Sequence, residues 1–486
     1  MAIAELPQRA VARMTAQVVE AMQRSQYFQA RFFEAALQGP ESWRRMLEAV
    51  TQAKEASDWV ALRKRWQSGL RYRSLVQTLG AELFGSAVLP GEVLLAEDGH
   101  FSLTYIPPKA GVAPSEHALF HVGGVLPYGD PLFRLMPGVC FFERFTERGM
   151  GVYAMALRGD KQQQNYRKMR MSTVMESLGH LAGVAFQHNQ GRKMIAEGYC
   201  GLGPHLLTFA AVNPALADRL FSVLATFVAP VDGRRCHSLA EIMRYIPELV
   251  LKASYSLAEK LDLYISGDQL RLTQDIALGA MTAKTPMGSF ASGWLSPAWA
   301  DVSCVQDLTF KQQRELAGAY WISSENCRRF PVPVDLARFS ERQFKIGVTE
   351  DGVMPFAIDG ESVDLRRIFS ESNLQVVSFY GGKDTLVPHE TAHPMQAIGG
   401  DRYTHVVHPG IGHVGYILNP DIWRSDNARS LNPNPIDCLQ ALAEQAKPCA
   451  PEVVESHQSD DSSEVAGHKK SRRAARKAAQ DQDGEA

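Results

Sequence analysis

Three residues spread over more than two hundred positions could do acyl chemistry together. Cys200 lies in Gly198-Tyr199-Cys200-Gly201-Leu202-Gly203, Asp384 in Gly382-Lys383-Asp384-Thr385-Leu386-Val387-Pro388, and His413 in Gly412-His413-Val414-Gly415. In chain order they are a nucleophile, an acid and a base. Each follows an apolar run that reads as a β-strand: Lys193 to Tyr199, Gln375 to Tyr380, and Thr404 to His408. Side chains at the carboxyl ends of parallel strands converge although they are distant in sequence. A thiol is intrinsically more nucleophilic than a hydroxyl and forms thioesters that exchange with other thioesters and with alcohols. His413 would serve as its general base, and Asp384 would orient the imidazole.

The glycines around Cys200 fit a sharp turn from strand to helix, with Gly198, Leu202 and Gly203 shaping the elbow. A tetrahedral oxyanion would be held by the backbone N–H of Gly201. A second donor is expected from His121-Val122-Gly123-Gly124, where the backbone of Val122 and Gly123 can approach a substrate oxygen. The bland alternatives are a buried structural cysteine at 200, a turn aspartate at 384 and a surface histidine at 413. A competing motif, His389-Glu390-Thr391-Ala392-His393, matches a zinc-binding pattern that needs two imidazoles one helical turn apart. Pro388 and Pro394 bracket it so closely that its helix would be barely one turn, so no metal and no cofactor are expected.

Stepping along the chain, residues 1–88 read as a helical region. Phe28, Phe32, Phe33 and Leu37, then Trp59, Leu62, Trp66 and Leu70, recur at three- and four-residue steps, and Leu75 and Leu79 continue after a slip in register. That face would pack on the main domain, or else meet a partner helix or an apolar granule. Residues 89–230 turn to β texture. Glu92 to Ala96 and Phe101 to Ile106 flank an Asp98-Gly99 hairpin signal, followed by strands at His117 to Val122, Gly151 to Ala156, Lys193 to Tyr199 and Phe221 to Ala229 and a helix at Tyr166 to Gln190. Residues 231–345 break the alternation, offer helices (Ser238 to Ile246, Lys311 to Trp321) without a clear strand, and read as an inserted lid. Strand–helix order resumes over 346–450 and ends in a helix near Ile436 to Gln445. Residues 451–486 are polar and charged and read as a disordered tail whose basic cluster, Lys469 to Lys477, solubilises the end.

Composition narrows the function classes. The chain has 486 residues, 45% apolar, with a formal net charge of −2, which argues against a nucleic-acid or anionic-membrane role for the whole protein. Seven cysteines without paired spacing suit a reducing cytoplasm rather than a disulfide framework. No secretory signal is visible at the N-terminus, and the apolar stretch Gly198 to Val231 is too interrupted for a bilayer span.

The nucleophile–acid–histidine order is similar to that of α/β-hydrolases, and more narrowly the chain resembles polyhydroxyalkanoate synthases. The resemblance rests on the cysteine box at 198–203, the aspartate motif at 382–388, and the histidine loop at 412–415 followed by Asn419-Pro420. Tyr320-Trp321-Ile322-Ser323 and Val363-Asp364-Leu365-Arg366-Arg367-Ile368 add to it, and the similarity spans roughly 115–425. It implies an α/β-hydrolase fold, a mostly parallel sheet with helices on both faces, an inserted helical lid and an N-terminal helical region. It also implies polymerisation of (R)-3-hydroxyacyl-CoA into polyester through a cysteine thioester with CoA release, by a homodimer at a granule surface. The stretch Ala53 to Leu83 resembles the repeat of phasins, granule coat proteins, and points to a phasin-like helix partner. Two other functions share the motifs: an intracellular polyester depolymerase or thioesterase-like hydrolase, and a granule-associated scaffold that has lost activity. One departure bears on that choice. The family carries glycine where this chain has Leu202, and a bulky side chain there is expected to push the strand before Cys200 away from the helix after it.

Overall fold

The computed structural model describes residues 41–123, 130–158, 169–236, 240, 243–244, 248–260, 293–294, 297–322, 332–424 and 431–446. The described residues lie in one compact unit that ends at Lys447. The readings at 1–40, at Gly124, over most of Ser238 to Ile246 and in the tail 451–486 lie outside them.

Two helices open the described chain, α1 (Glu41–Gln52) and α2 (Ala56–Leu75). The start of α2 is fixed by Asp58, whose carboxylate accepts the N–H groups of Lys54 and Glu55. Next come β1 (Val93–Glu97), β2 (Phe101–Ile106) and β3 (Ala118–Val122), then α3 (Phe141–Thr146), β4 (Gly151–Leu157) and α4 (Met171–His188). The chain continues through β5 (Met194–Tyr199), α5 (Leu202–Val212), α6 (Pro214–Leu220) and β6 (Phe221–Phe227). After β6 come α7 (Glu248–Lys260), α8 (Phe310–Ile322) and α9 (Val334–Lys345), then β7 (Val353–Ile358) and β8 (Glu361–Asp364). The last elements are β9 (Gln375–Gly381), α10 (His393–Gly399), β10 (Tyr403–His408) and α11 (Pro435–Gln445).

Eight strands form one sheet in the order β1-β2-β4-β3-β5-β6-β9-β10. β2 runs antiparallel to both of its neighbours, and every pairing from β4 to β10 is parallel. Parallel pairing requires a crossover between strands, and the helices supplying it cover both faces. Alternation along each strand therefore feeds two cores. Met194 and Ala196 of β5 join α4 and α5 on one face, while Ile195 and Tyr199 join α3 and α11 on the other. This topology is the α/β-hydrolase fold.

Strand positions follow the sequence reading within a residue or two. The β1–β2 hairpin turns where Asp98 accepts the amides of His100 and Phe101. The helix read from Tyr166 begins at Met171 among the described residues. The antiparallel pair β7–β8 had not been anticipated; it lies outside the main sheet and packs Met354, Ile358 and Val363 into the α4–α5 core.

The packed face of α2 is a correction. Of the two readings of the Trp59–Leu70 face, packing on the main domain is corrected: Trp59, Trp66 and Leu70 are 54%, 55% and 63% exposed, whereas Ser68, Gly69, Tyr72 and Leu75 are buried. The helix packs on the segment Pro297–Ala300, with Tyr72 edge-on to Trp299 at 5.2 Å, and not on the sheet. Leu75 and Leu79 continue the buried stripe of Ser68 and Tyr72 rather than that of Trp66 and Leu70, and the π-helical turn Val76–Gly80 carries this stripe against α8. Truncating Tyr72 to Ala should cost about 3 kcal/mol in urea unfolding, while Trp59→Ala should change stability by less than about 0.5 kcal/mol. Equal losses would restore the face expected from the sequence.

Candidate active site

β5 delivers Cys200 at its carboxyl end, and the chain reverses there directly into α5. Cys200 has φ 50°, in the left-handed region where a non-glycine residue is strained by about 1–3 kcal/mol. Its N–H donates to the Phe227 carbonyl at the end of β6 (2.8 Å), and its carbonyl accepts the Gly203 amide (3.0 Å). Close approach explains the flanking glycines. A Cβ on Gly198 would lie 2.8 Å from the Leu202 carbonyl oxygen, and one on Gly203 would lie 2.5 Å from the Ala229 methyl.

The tight approach to the neighbouring strand thus falls at Gly203, one residue beyond the position expected to need it. Leu202 is 3% exposed and belongs to the α4–α5 core. Its side chain packs in that core, and the backbone of Gly198 approaches the Leu202 carbonyl closely beside it.

The acid and histidine loops are joined by backbone. After β9, Gly382 N–H donates to the His408 carbonyl (2.9 Å) and Lys383 N–H to the Ile411 carbonyl (2.8 Å). A Cβ on Gly381 would come within 2.3 Å of that same Ile411 oxygen, so the two loops can touch only at a glycine. Asp384 is buried; one carboxylate oxygen accepts the amides of Leu386 and Val387 (both 2.9 Å), and the other accepts Nδ1–H of His413 (2.8 Å). Cys200 is the charge that does most to raise the pKa of the His413 ring. The Tyr199 hydroxyl donates to the His413 carbonyl (2.6 Å), which ties the histidine loop to the strand that carries the thiol. The structure therefore brings Cys200, His413 and Asp384 together, the imidazole bonded to Asp384 and electrostatically coupled to Cys200.

Burial works to lower the His413 pKa, but the charge and hydrogen bond of Cys200 and the carboxylate of Asp384 outweigh it and hold it at about 10.

Of the residues read as oxyanion donors, Val122 pairs in register with Gly198 at the parallel β3–β5 seam, and Gly123 follows it at the strand end. Gly201 caps the N-terminus of α5, where helix amides lack internal acceptors. Its carbonyl is taken by Nδ1–H of His205 (2.6 Å), whose pKa burial drives down to about 4, so the ring is a neutral donor. Tyr199 and His205 were not singled out from sequence. Tyr199 looked like one more apolar strand residue, and a histidine one turn into an apolar helix carries no motif.

His389 and His393 do not share a helix face. His389–Ala392 is a 3-10 turn, His393 begins α10, and the His389 ring lies 5.7 Å from that of His405. Among the described residues no three His, Cys, Asp or Glu side chains are grouped to hold a metal. No described helix is long and apolar enough to cross a membrane.

No protein-family model matches the chain, and no curated protein matches its sequence. Solved structures that align with it include a soluble variant of monoglyceride lipase from Saccharomyces cerevisiae, at 11% identity over 74% of this chain and 97% of that one, with a TM-score of 0.46. A carboxylesterase structure from the thaumarchaeon Nitrososphaera gargenis aligns at 12% identity over 72% and 98% of the two chains, with a TM-score of 0.37. The thioesterase domain from the curacin biosynthetic pathway aligns at 11% identity over 73% and 98%, with a TM-score of 0.32.

Two measurements check this geometry. Nitrogen NMR of the His413 ring should place its titration near pH 10, and in Cys200→Ala the midpoint should fall because burial remains while its partner is gone; an unmoved midpoint would show that the thiol is not that partner. Leu202→Gly should lower stability by about 3 kcal/mol or more through the lost core side chain and the flexible glycine, with no gain in rate. A faster variant would revive the wedge argument.

Proposed function

We propose that the protein is an acyltransferase that polymerises (R)-3-hydroxyacyl groups from CoA thioesters through a thioester on Cys200. The observation that carries this reading is the convergence of Asp384, His413 and Cys200, with His413 bonded to Asp384 and coupled to a thiol at a left-handed strand end. Cys200, as the thiolate, attacks the thioester carbonyl carbon, and the oxyanion is met by backbone N–H groups of the Gly201 turn and of the β3 end at Val122 and Gly123. When the intermediate collapses, the C–S bond to CoA breaks and the leaving thiolate takes the proton of the His413 imidazolium.

Acylation removes the negative charge that held that proton. Burial then lowers the His413 pKa against the Asp384 carboxylate alone, and the neutral ring can accept a proton from the hydroxyl of the growing chain. The resulting oxygen attacks the Cys200 thioester, the new ester forms, and the Cys200 thiolate leaves beside the reprotonated imidazole. If water takes the place of the hydroxyl, the same residues perform hydrolysis, which is the second reading. The scaffold reading draws on Leu202 as a damaged elbow, and the packing of that side chain in the α4–α5 core weighs against it.

With 3-hydroxybutyryl-CoA, CoA release and insoluble polymer should appear together. CoA release with free hydroxy acid and no polymer would make the protein a hydrolase, and no CoA release would remove the enzymatic reading. Cys200→Ala should fold normally and lose turnover by roughly four orders of magnitude or more. Cys200→Ser should bind substrate and react poorly, because a hydroxyl is far harder to ionise.

A further inference from the structure

His121 of β3 and Glu197 of β5 face each other across the parallel seam, one register step behind Val122 and Gly198. Both are fully buried, and Nδ1–H of His121 donates to Glu197 at 2.5 Å. Phe133, Phe142 and Phe141 surround the imidazole at ring distances of 4.3, 5.1 and 6.4 Å. The second oxygen of Glu197 and Nε2 of His121 are buried without a hydrogen-bond partner among the described residues. Nε2 lies against the end of β3: a Cβ on Gly123 would stand 3.0 Å from it.

The fold gains little from such a pair. The backbone ladder already joins β3 to β5, and removing an ionisable pair from water into a shell of phenyl rings costs several kcal/mol that a well-packed apolar pair would not. Each polar atom left without a partner adds about 1–3 kcal/mol. What the pair does accomplish is geometric. It locks the two strands one residue behind the oxyanion carriers and three residues behind the thiol. The carboxylate also fixes the imidazole so that its free nitrogen bears on Gly123.

We infer that the His121–Glu197 dyad is a positioning element that holds the end of β3 at the distance from the Cys200 elbow needed to bind an acyl oxyanion. The inference rests on the acyl-transfer reading. Neither residue touches the reacting atoms; both act through the backbone of Val122 and Gly123.

The test separates two reactions of the same thiol. Alkylation of Cys200 by iodoacetamide needs the thiolate but no oxyanion site, whereas acylation needs both. In the doubly apolar variant, His121→Phe with Glu197→Leu, the melting temperature should stay level or rise, and alkylation of the Cys200 peptide, followed by mass spectrometry, should stay within about twofold. Its kcat for acyl transfer from 3-hydroxybutyryl-CoA and from p-nitrophenyl butyrate should fall by roughly 30-fold, with KM within about twofold, as expected for a small misplacement of the oxyanion donors. Glu197→Gln keeps an acceptor for Nδ1–H and should lose only about fivefold in acyl transfer with alkylation unchanged, which serves as the conservative rescue and carries the test if the double variant does not fold. Acyl transfer at the wild-type rate in the variants would overturn the inference. So would a parallel fall in alkylation, which would mark a general loosening of the elbow. Wild-type protein that accepts an acyl group from neither donor would remove the acyl-transfer reading and the dyad with it, whereas active wild type with unaffected variants would remove the dyad alone.

Discussion

A cysteine at φ 50° survives only if the chain on both sides of it is pinned, and much of this molecule can be understood as that pinning. β5 is held by parallel neighbours on both edges. The Cys200 amide continues the ladder one step past the strand by donating to Phe227, and Val228, itself at φ 46°, repeats the move by donating to Phe379 of β9. Two adjacent strand ends are thus strained in the same sense, each bound to the next strand. The cost is distributed over a buried sheet in which Phe227 and Phe379 stack at 4.8 Å, so no local relaxation can release one turn without disturbing the other.

That rigidity gives the electrostatics their meaning. The proton on His413 is kept against the effect of burial by a thiol and a carboxylate fixed on separate elements. Moving either partner away would leave burial less opposed and lower the pKa of the ring. The Tyr199 hydroxyl and the loop contacts at Gly382 and Lys383 supply the fixing. The state of the imidazole is therefore set by tertiary structure as much as by the residue types.

The sheet was largely legible in the sequence because its strands are short apolar runs bounded by turn chemistry, and strand positions survive errors in everything around them. Cys200, Asp384 and His413 were legible for a related reason, since each sits in a glycine-bearing loop directly after such a run. The packed face of α2 was not, because its buried stripe includes Ser68 and Gly69, which carry no apolar signal, and it meets the segment Pro297–Ala300 rather than the sheet. Leu202 was misread because proximity to the neighbouring strand depends on where the helix starts, and it falls to Gly203. His121 and Glu197 left a faint signal, one charged residue inside an apolar strand and one histidine at a strand end. Nothing in a linear sequence says that two parallel strands place them side by side.

The seam between the acid and histidine loops has an evolutionary corollary. Its contacts run from amide to carbonyl, so they are indifferent to most side chains beside them. Lys383 and Thr385 flank the buried Asp384 yet face solvent. Drift at these positions can recolour the rim of the site, in charge and in shape, while the hydrogen bond from His413 to Asp384 stays in place. New acyl substrates could be explored there one surface residue at a time, with the reacting centre inherited intact.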